Sequence, residues 1–280
     1  MINCNGNLSE NTSCISISNR GFNYGDAVFE TLKVSHSKVL FLEDHYFRLM
    51  ASMRIMRMEI PMNFTMEFLE EEIIKTLKAN NLHERTARVK IIVNRVEGGL
   101  YTPLNHNVNY FITVNSLDQE FYSIVEEECV VDLFKDFYIS PSLLSTLKTN
   151  NKAINIVASI YAKENDLDNC LLLNTEKSVI EATNGNIFLV KGNEIKTPPL
   201  SDGCLKGVFR KQIIEAVKLL PNYTITEASI SPFELQKADE LFITNVIHGI
   251  IPVTRYRKKQ FKSKVAEEFL NKINVKLRLS

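Results

Sequence analysis

The sequence lacks the short patterns that identify several common classes of enzyme. It contains no Gly-x-Gly-x-x-Gly after a strand, no P-loop, no His-Glu-x-x-His and no Gly-x-Ser-x-Gly. It has no internal repeat and no low-complexity linker. No apolar run approaches the ~18 residues that a membrane helix needs, and no basic segment followed by an apolar core opens the chain. We therefore expect neither a signal peptide nor a membrane span.

An excess of charge of either sign is also missing, since 33 Lys and Arg residues balance 33 Asp and Glu residues. No net field favours nucleic acid or an anionic membrane. The cysteines and histidines are scattered, without the spacing of a disulfide framework or a metal site. This pattern predicts a cytoplasmic protein without a bound metal. The cysteines are Cys4, Cys14, Cys129, Cys170 and Cys204.

What remains is an ordinary globular composition over 280 residues, 45% hydrophobic and 24% charged. Runs of strands and helices predict an α+β or α/β protein with domains at 1–120 and 121–280. In the first domain, residues 19–26 are expected to form a turn-rich loop, and a helix is expected from Asp44 to about Met58. A helical wheel places Arg48 of that helix on the exposed face.

Two features of the stretch Glu181–Arg210 suggest chemistry. Glu181 is a carboxylate inside an apolar run, where a buried charge needs a partner. Further on, Gly203 and Gly207 lead into a helix expected over 207–220, whose N-terminus can attract an anion. Taken alone, each feature is more often an exposed carboxylate or an ordinary helix entry.

The same stretch contains a longer spaced pattern. It consists of Glu181-x-Thr183-x-x-Asn186-Ile187-Phe188, then Ile195-x-Thr197, then Leu205-x-Gly207-Val208-x-Arg210. This pattern resembles the signature of the class IV aminotransferases, and residues 20–31 resemble the first motif of that family. These are fold-type IV pyridoxal-phosphate (PLP) enzymes, comprising branched-chain aminotransferases, D-amino acid aminotransferases and aminodeoxychorismate lyases. The resemblance implies the two-domain fold of the D-amino acid aminotransferases, PLP as cofactor, and a homodimer.

The resemblance also implies roles in holding the cofactor. Lys148 would bind PLP covalently and then move protons, although alone it would be taken for a solvated loop lysine; nearby Lys152 is more typical of a first helical turn. Glu181 would keep a proton on the pyridine nitrogen. Arg48 would pair with the phosphate through its planar fork, which reverses the helical-wheel interpretation. Further phosphate donors would be the backbone N–H groups of four residues: Gly207, Val208, Thr244 and Asn245.

The substrate pocket is less well defined by the sequence. Tyr24 and Phe29 are candidates for lining it, with core packing as the alternative for both. Leu100 follows two glycines where some lyases and D-amino acid aminotransferases have an arginine that can hold a substrate carboxylate. The cationic candidates for holding that carboxylate are Arg88, Lys90 and Arg95. Strand alternation alone does not choose among them.

Three activities stay open at this point. The chain resembles most an aminodeoxychorismate lyase, which releases pyruvate and 4-aminobenzoate for folate synthesis, because Thr31 lies where the lyases carry threonine and branched-chain enzymes carry glycine. Its hydroxyl could relay a proton, although threonine also suits any strand. The second possibility is an aminotransferase for branched-chain or D-amino acids. The third is a silent family member, against which Lys148, Glu181 and Arg48 all argue by being present.

Overall fold

The computed structural model describes residues 1–10, 15–124 and 127–279, and these form two compact units. The first unit consists of Met1–Glu120 with Leu147–Asn151, and the second of Phe121–Thr146 with Lys152–Ser280. The sequence predicted one division, between residues 120 and 121. The difference is the segment Leu147–Asn151, which pairs with a strand of the first unit and takes Lys148 with it.

The first unit is an antiparallel sheet with helices. Its strands are β1 (Ile2–Cys4), β2 (Asn7–Ser9), β3 (Ala27–Ser35), β4 (Lys38–Val39), β5 (Ala87–Arg95) and β6 (Val108–Ser116), in the sheet order β2-β1-β6-β5-β3-β4. Its helices are α1 (Arg20–Tyr24), α2 (Leu42–Ile55) and α3 (Met66–Ala79).

Strand alternation divides the residues of β3 between two environments. Val28 and Leu32 belong to the same buried apolar cluster as Leu49 of α2 and Ile73 of α3. Successive side chains of a strand point to opposite faces of the sheet. Even-numbered residues of β3 therefore face the core, and the odd-numbered residues from Phe29 onward lie on the opposite face.

The second unit is built on a larger sheet. Its strands are β7 (Val130–Leu133), β8 (Asn169–Leu173), β9 (Val179–Ala182), β10 (Gly185–Lys191), β11 (Glu194–Thr197), β12 (Thr224–Glu227), β13 (Glu240–Asn245), β14 (Gly249–Val253), β15 (Arg255–Tyr256) and β16 (Lys259–Gln260). Its helices are α4 (Ala153–Glu164), α5 (Val208–Lys218), α6 (Pro232–Leu235) and α7 (Lys264–Leu279). The main path of the sheet is β12-β11-β10-β9-β8-β7-β15-β16, and β13 joins β10 to β14.

The helix boundaries depart from the sequence prediction at three places. The expected loop at 19–26 contains α1, which the Asn19 side chain caps by accepting a hydrogen bond from the Phe22 N–H. Helix α2 begins at Leu42 rather than at Asp44, with Phe41 in left-handed backbone as its N-cap. Helix α5 spans Val208–Lys218 rather than 207–220. Within the described ranges, no helix is both long enough and apolar enough to cross a lipid bilayer.

Candidate active site

Lys148 is held beside β3 by backbone pairing. Thr149 forms an antiparallel bridge with Val28, the N–H of Phe29 donates to the Lys148 carbonyl at 2.8 Å, and the N–H of Asn150 donates to the Ala27 carbonyl at 3.1 Å. The Lys148 ammonium lies 4.6 Å from the centre of the Phe29 ring. Lys148 is half-buried and fixed against a sheet, and is therefore not the solvated loop lysine of the alternative interpretation.

Arg48 lies on a buried polar face of α2 that also includes His45 and Ser52. It is 9% exposed, so the helical-wheel assignment to the solvent face is wrong. The reason is Glu30 of β3, which is 2% exposed and points towards α2. The Nε and Nη2 atoms of Arg48 donate to Oε1 and Oε2 of Glu30, the first at 2.8 Å. A bidentate carboxylate allows the guanidinium to be buried here.

His45 completes this buried group. Its Nδ1 lies 2.7 Å from Oε2 of Glu30, and its Nε2 has no hydrogen-bond partner among the described residues. Burial favours a raised pKa for Glu30, but the charge and hydrogen bonds of Arg48 and His45 outweigh it and lower that pKa to about 2. Burial lowers the pKa of His45, against the opposing effect of Glu30. The group therefore contains an ionised carboxylate, a guanidinium and a neutral imidazole.

The opposite face of the same sheet is cationic. Register pairs Thr31 with Lys90 and Lys33 with Arg88. Lys33 is 2% exposed, and burial lowers its pKa to about 8. Burial and the charge of Arg88 lower the pKa of Lys90, whose ammonium lies 4.8 Å from the centre of the Phe29 ring. Phe29 thus contacts Lys148 and Lys90 together, and the predicted residues Thr31, Arg88 and Lys90 share its face.

Arg95 does not belong with these cations. Its guanidinium donates to both carboxylate oxygens of Asp26, to the carbonyls of Arg57 and Met56, and lies 2.9 Å from Nδ1 of His106. These contacts use its donors, which leaves none for a substrate carboxylate. The structure therefore removes Arg95 from the pocket candidates.

Tyr24 lies at the end of α1. The Arg20 guanidinium stacks on its ring at 5.0 Å, and the ring of Tyr101 is 5.9 Å away. Arg20 also donates to the carbonyls of Gly98 and Leu100, so it connects α1 to the 97–103 loop. Tyr24 is partly exposed, and its assignment to the substrate pocket stays a prediction.

In the second unit, three motif residues form a row across the sheet. Register pairs Glu181 of β9 with Asn186 of β10, and Asn186 with Thr244 of β13. Glu181 Oε2 accepts the N–H of Leu205 at 2.8 Å, and Asn186 Nδ2 donates to the Leu205 carbonyl at 2.9 Å. The row therefore binds both sides of one residue in the loop that leads into α5.

The start of α5 is fitted closely to this row. A Cβ atom on Gly207 would lie 1.9 Å from Oδ1 of Asn186, so only glycine fits there. The N-cap residue of α5 is Gly207, which has no side chain to cap the first turn. Nearby in the row, the Thr244 hydroxyl is buried and has no hydrogen-bond partner in the described part of the chain.

The loop after β13 has its own internal contacts. The Asn245 side chain accepts the N–H groups of Ile247 and His248, so it shapes the loop. Buried Tyr122 donates its hydroxyl to the Val246 carbonyl at 2.7 Å. Gly249 has a φ of +76°, and its missing Cβ would lie 2.8 Å from the Tyr122 ring. These contacts shape the loop that follows Thr244 and Asn245, the two residues of β13 whose N–H groups are predicted phosphate donors.

Comparison with known proteins gives the class. The family described as amino-transferase class IV matches residues 27–256, which is most of the chain. The chain belongs to the class IV aminotransferases, a family of enzymes that use PLP.

Individual relatives carry different names. The chain is 29% identical to a putative branched-chain-amino-acid aminotransferase of Methanocaldococcus jannaschii, over 97% of this chain and 92% of that protein. It is 28% identical to the aminodeoxychorismate lyase of Bacillus subtilis (95% and 90%), and 25% identical to the D-alanine aminotransferase of Bacillus licheniformis (89% and 86%). These names do not single out one activity within the family.

Solved structures share the fold of this chain. The branched-chain aminotransferase of Thermoproteus uzoniensis with norvaline superposes with a TM-score of 0.85 at 24% identity, covering 99% of this chain and 97% of that chain. The predicted two-domain fold type is thereby confirmed.

The residues present fit PLP. The buried Thr244 hydroxyl, which has no partner among the described residues, and the start of α5, whose N-cap is Gly207, are donors of the kind that a phosphate accepts. Lys148 supplies an amine fixed against β3, and Glu181 supplies a buried carboxylate. These are the groups that PLP chemistry requires of a protein.

Four residues escaped the sequence prediction: Glu30, Lys33, His45 and Asn186. Glu30 had a usable signal, because a charged residue in phase with Val28 and Leu32 must be buried and paired. Asn186 belonged to the recognised motif but had no assigned role. Lys33 and His45 gave no signal, because a lysine on a strand and a histidine on a helix are ordinary surface residues.

Proposed function

We propose that the protein is a PLP-dependent 4-amino-4-deoxychorismate lyase that releases pyruvate and 4-aminobenzoate. The observation that carries this proposal is the face of β3 and β5 beside Lys148. It combines the Thr31 hydroxyl with the cations Lys33, Arg88 and Lys90. The substrate carries two carboxylates, and a cationic face suits a dianion better than the aliphatic side chain of a branched-chain amino acid.

Each residue has a defined task in this proposal. PLP, when bound, supplies the electron sink for the carbanion. Lys148 binds the cofactor covalently and moves protons, while Glu181 holds the proton of the pyridine nitrogen. Arg48 pairs with the phosphate. The other phosphate donors are the backbone N–H groups of Val208, Thr244 and Asn245. The Gly207 N–H, which the sequence also predicted as a donor, instead donates to the Leu205 carbonyl at 2.8 Å.

Thr31 has the role specific to the lyase. Its hydroxyl lies on the same face as Phe29, whose ring contacts Lys148. From there it relays a proton during elimination, as a general acid–base group. Phe29 and Tyr24 line the pocket, with Leu100, which is 76% exposed, in place of an arginine. Arg88 and Lys90 hold the substrate carboxylates in its stead.

The second candidate is an aminotransferase for branched-chain or D-amino acids. The relative from Methanocaldococcus jannaschii favours it, because that protein carries a branched-chain name and matches 97% of this chain. A silent family member is disfavoured, since Lys148, Arg48 and Glu181 are each held by specific contacts.

The deciding experiment adds 4-amino-4-deoxychorismate to the PLP-loaded protein and follows pyruvate together with the cofactor absorbance. A lyase forms pyruvate over many turnovers while the initial spectrum returns. The isosteric change Thr31→Val should lower kcat by about 100-fold, and Thr31→Ser should restore most of it. An aminotransferase would instead form no pyruvate, and a later amino acid would convert the cofactor to its pyridoxamine form.

We further propose that the protein acts as a homodimer in the cytoplasm. An exposed apolar face on α4, which a second copy could cover, consists of Ile156, Val157 and Ile160.

The cysteines support the cytoplasmic location. Cys129, Cys170 and Cys204 are free, and burial raises the pKa of their thiols, as suits a reducing compartment.

A further inference from the structure

We propose that Glu30 and His45 are positioning residues for the cofactor phosphate: Glu30 fixes the orientation of the Arg48 guanidinium, and His45 fixes Glu30. This inference rests on the proposed role of Arg48 as a phosphate partner. Neither residue would touch the cofactor. Each acts through the next, along a line of contacts from α2 to β3 and back to α2.

Glu30 sets the plane of the Arg48 guanidinium. Arginine donates through two edges, and Glu30 occupies the edge formed by Nε and Nη2. Two parallel hydrogen bonds fix both the position and the tilt of a planar group. The orientation of the Nη1 edge of Arg48 is therefore fixed. A phosphate that pairs with Arg48 must approach this edge.

Glu30 is itself held in a fixed position. It lies in the middle of β3, paired with Ile91 of β5, and is 2% exposed. A long arginine side chain has considerable rotamer entropy, which binding would otherwise have to remove. The carboxylate of Glu30, fixed in the middle of β3, removes this entropy before the phosphate arrives.

His45 holds Glu30 through one ring nitrogen. Glu30 is ionised at neutral pH because its pKa is about 2, so it accepts from Nδ1 and the proton of His45 lies there. The bare Nε2 is buried, and the cavity lined by His45 also includes Leu42, Tyr46 and Leu49. The imidazole therefore gives Glu30 a hydrogen bond without adding charge beside Arg48.

If Glu30 orients Arg48, replacing Glu30 changes phosphate binding in the direction opposite to that expected from its charge alone. Removing a carboxylate from beside an anion site should strengthen phosphate binding if only the electrostatic field matters. If Glu30 acts by orienting Arg48, its replacement should weaken binding. The sign of the change therefore separates the two explanations.

The test measures PLP affinity by fluorescence titration and the phosphorus-31 chemical shift of bound PLP. Arg48→Ala should weaken PLP binding by about tenfold or more, as expected for a lost charge-assisted bond. Glu30→Gln should weaken PLP binding by about tenfold and should shift the phosphorus signal in the same direction as Arg48→Ala does. Glu72→Gln is the matched control, because Glu72 is a buried carboxylate in the same unit, bonded to Asn3 and Tyr110.

A second pair of variants tests His45 and remains decisive if Glu30→Gln does not fold. Asparagine places its amide nitrogen near the position of Nδ1, and glutamine places it near Nε2. His45→Asn should bind PLP within about twofold of the unmodified protein, and His45→Gln about fivefold more weakly. Equal affinities for the two variants would overturn the role of His45.

The remaining outcomes are also informative. Tighter or unchanged PLP binding in Glu30→Gln, with weaker binding in Arg48→Ala, would overturn the positioning role and leave the role of Arg48 intact. Unchanged binding in Arg48→Ala would remove Arg48 from the phosphate site, and the inference would fail with it.

Discussion

At the scale of single residues, Lys148 and Lys152 lie close together in the chain but in different surroundings. Lys148 is held against β3 by its backbone, whereas Lys152 is the N-cap of α4. Lys148→Ala should abolish covalent retention of PLP after borohydride reduction, and Lys152→Ala should retain it. The measurement is the mass of the reduced, unfolded protein. A cofactor adduct on the Lys148→Ala protein would contradict the assignment.

Lys33 gives a prediction about pH. Its pKa of about 8 is below the usual value for lysine because the side chain is buried, so it loses its charge as pH rises through 8. The KM for a dianionic substrate should therefore rise across that range, with kcat much less affected. Lys33→Met should remove the inflection, and Lys38→Met, at an exposed lysine of β4, should keep it. An unchanged KM profile in Lys33→Met would exclude Lys33 from substrate binding.

The sequence identified the main candidate residues of the site but misplaced one of them on its helix. Lys148, Arg48 and Glu181 were assigned by resemblance, and the structure gives each a buried or half-buried setting suited to its proposed role. The wheel misplaced Arg48 because it ranks a helix face by apolar content alone. A carboxylate from a distant strand allows a polar helix face to be buried. The pattern of the helix alone does not show this partner, although Glu30 carried a signal in its own strand.

At the scale of secondary structure, the entry into α5 depends on close packing. Gly207→Ala would push a methyl group against Asn186 and displace the first turn of α5. We expect PLP to bind about tenfold more weakly, because the N–H groups of that turn would be re-aimed. The measurement is PLP affinity by titration. Gly192→Ala, at a turn with open space around it, is the control and should leave PLP affinity unchanged.

Elements with a strong periodic pattern were predicted well, and others were not. The helix expected from Asp44 to about Met58 corresponds to α2 at Leu42–Ile55, and the helix expected over 207–220 corresponds to α5 at Val208–Lys218. The pairing of Leu147–Asn151 with β3 could not be predicted, because it is a long-range contact made by a segment without any strand pattern. The motif did identify β9, β10 and the α5 entry, but not the hydrogen bonds by which Asn186 holds Leu205.

At the scale of the whole molecule, the exposed apolar face of α4 predicts self-association. Ile160→Asp should shift the protein from dimer to monomer, because a charge would be desolvated at the contact. The measurement is sedimentation velocity at several concentrations. Leu219→Asp is the control, since Leu219 is an equally apolar, exposed residue at the end of α5. Dimers in both variants, or in neither, would show that α4 is not the contact.

The return of Leu147–Asn151 to the first unit has a consequence for the history and synthesis of the chain. During translation, the bridge between Val28 of β3 and Thr149 cannot form until the ribosome has passed residue 149. A gene exchange that moved codons 1–120 as one cassette would leave behind the lysine of the transferred unit. An exchange of the first unit as a whole would have to include codons 147–151 as well.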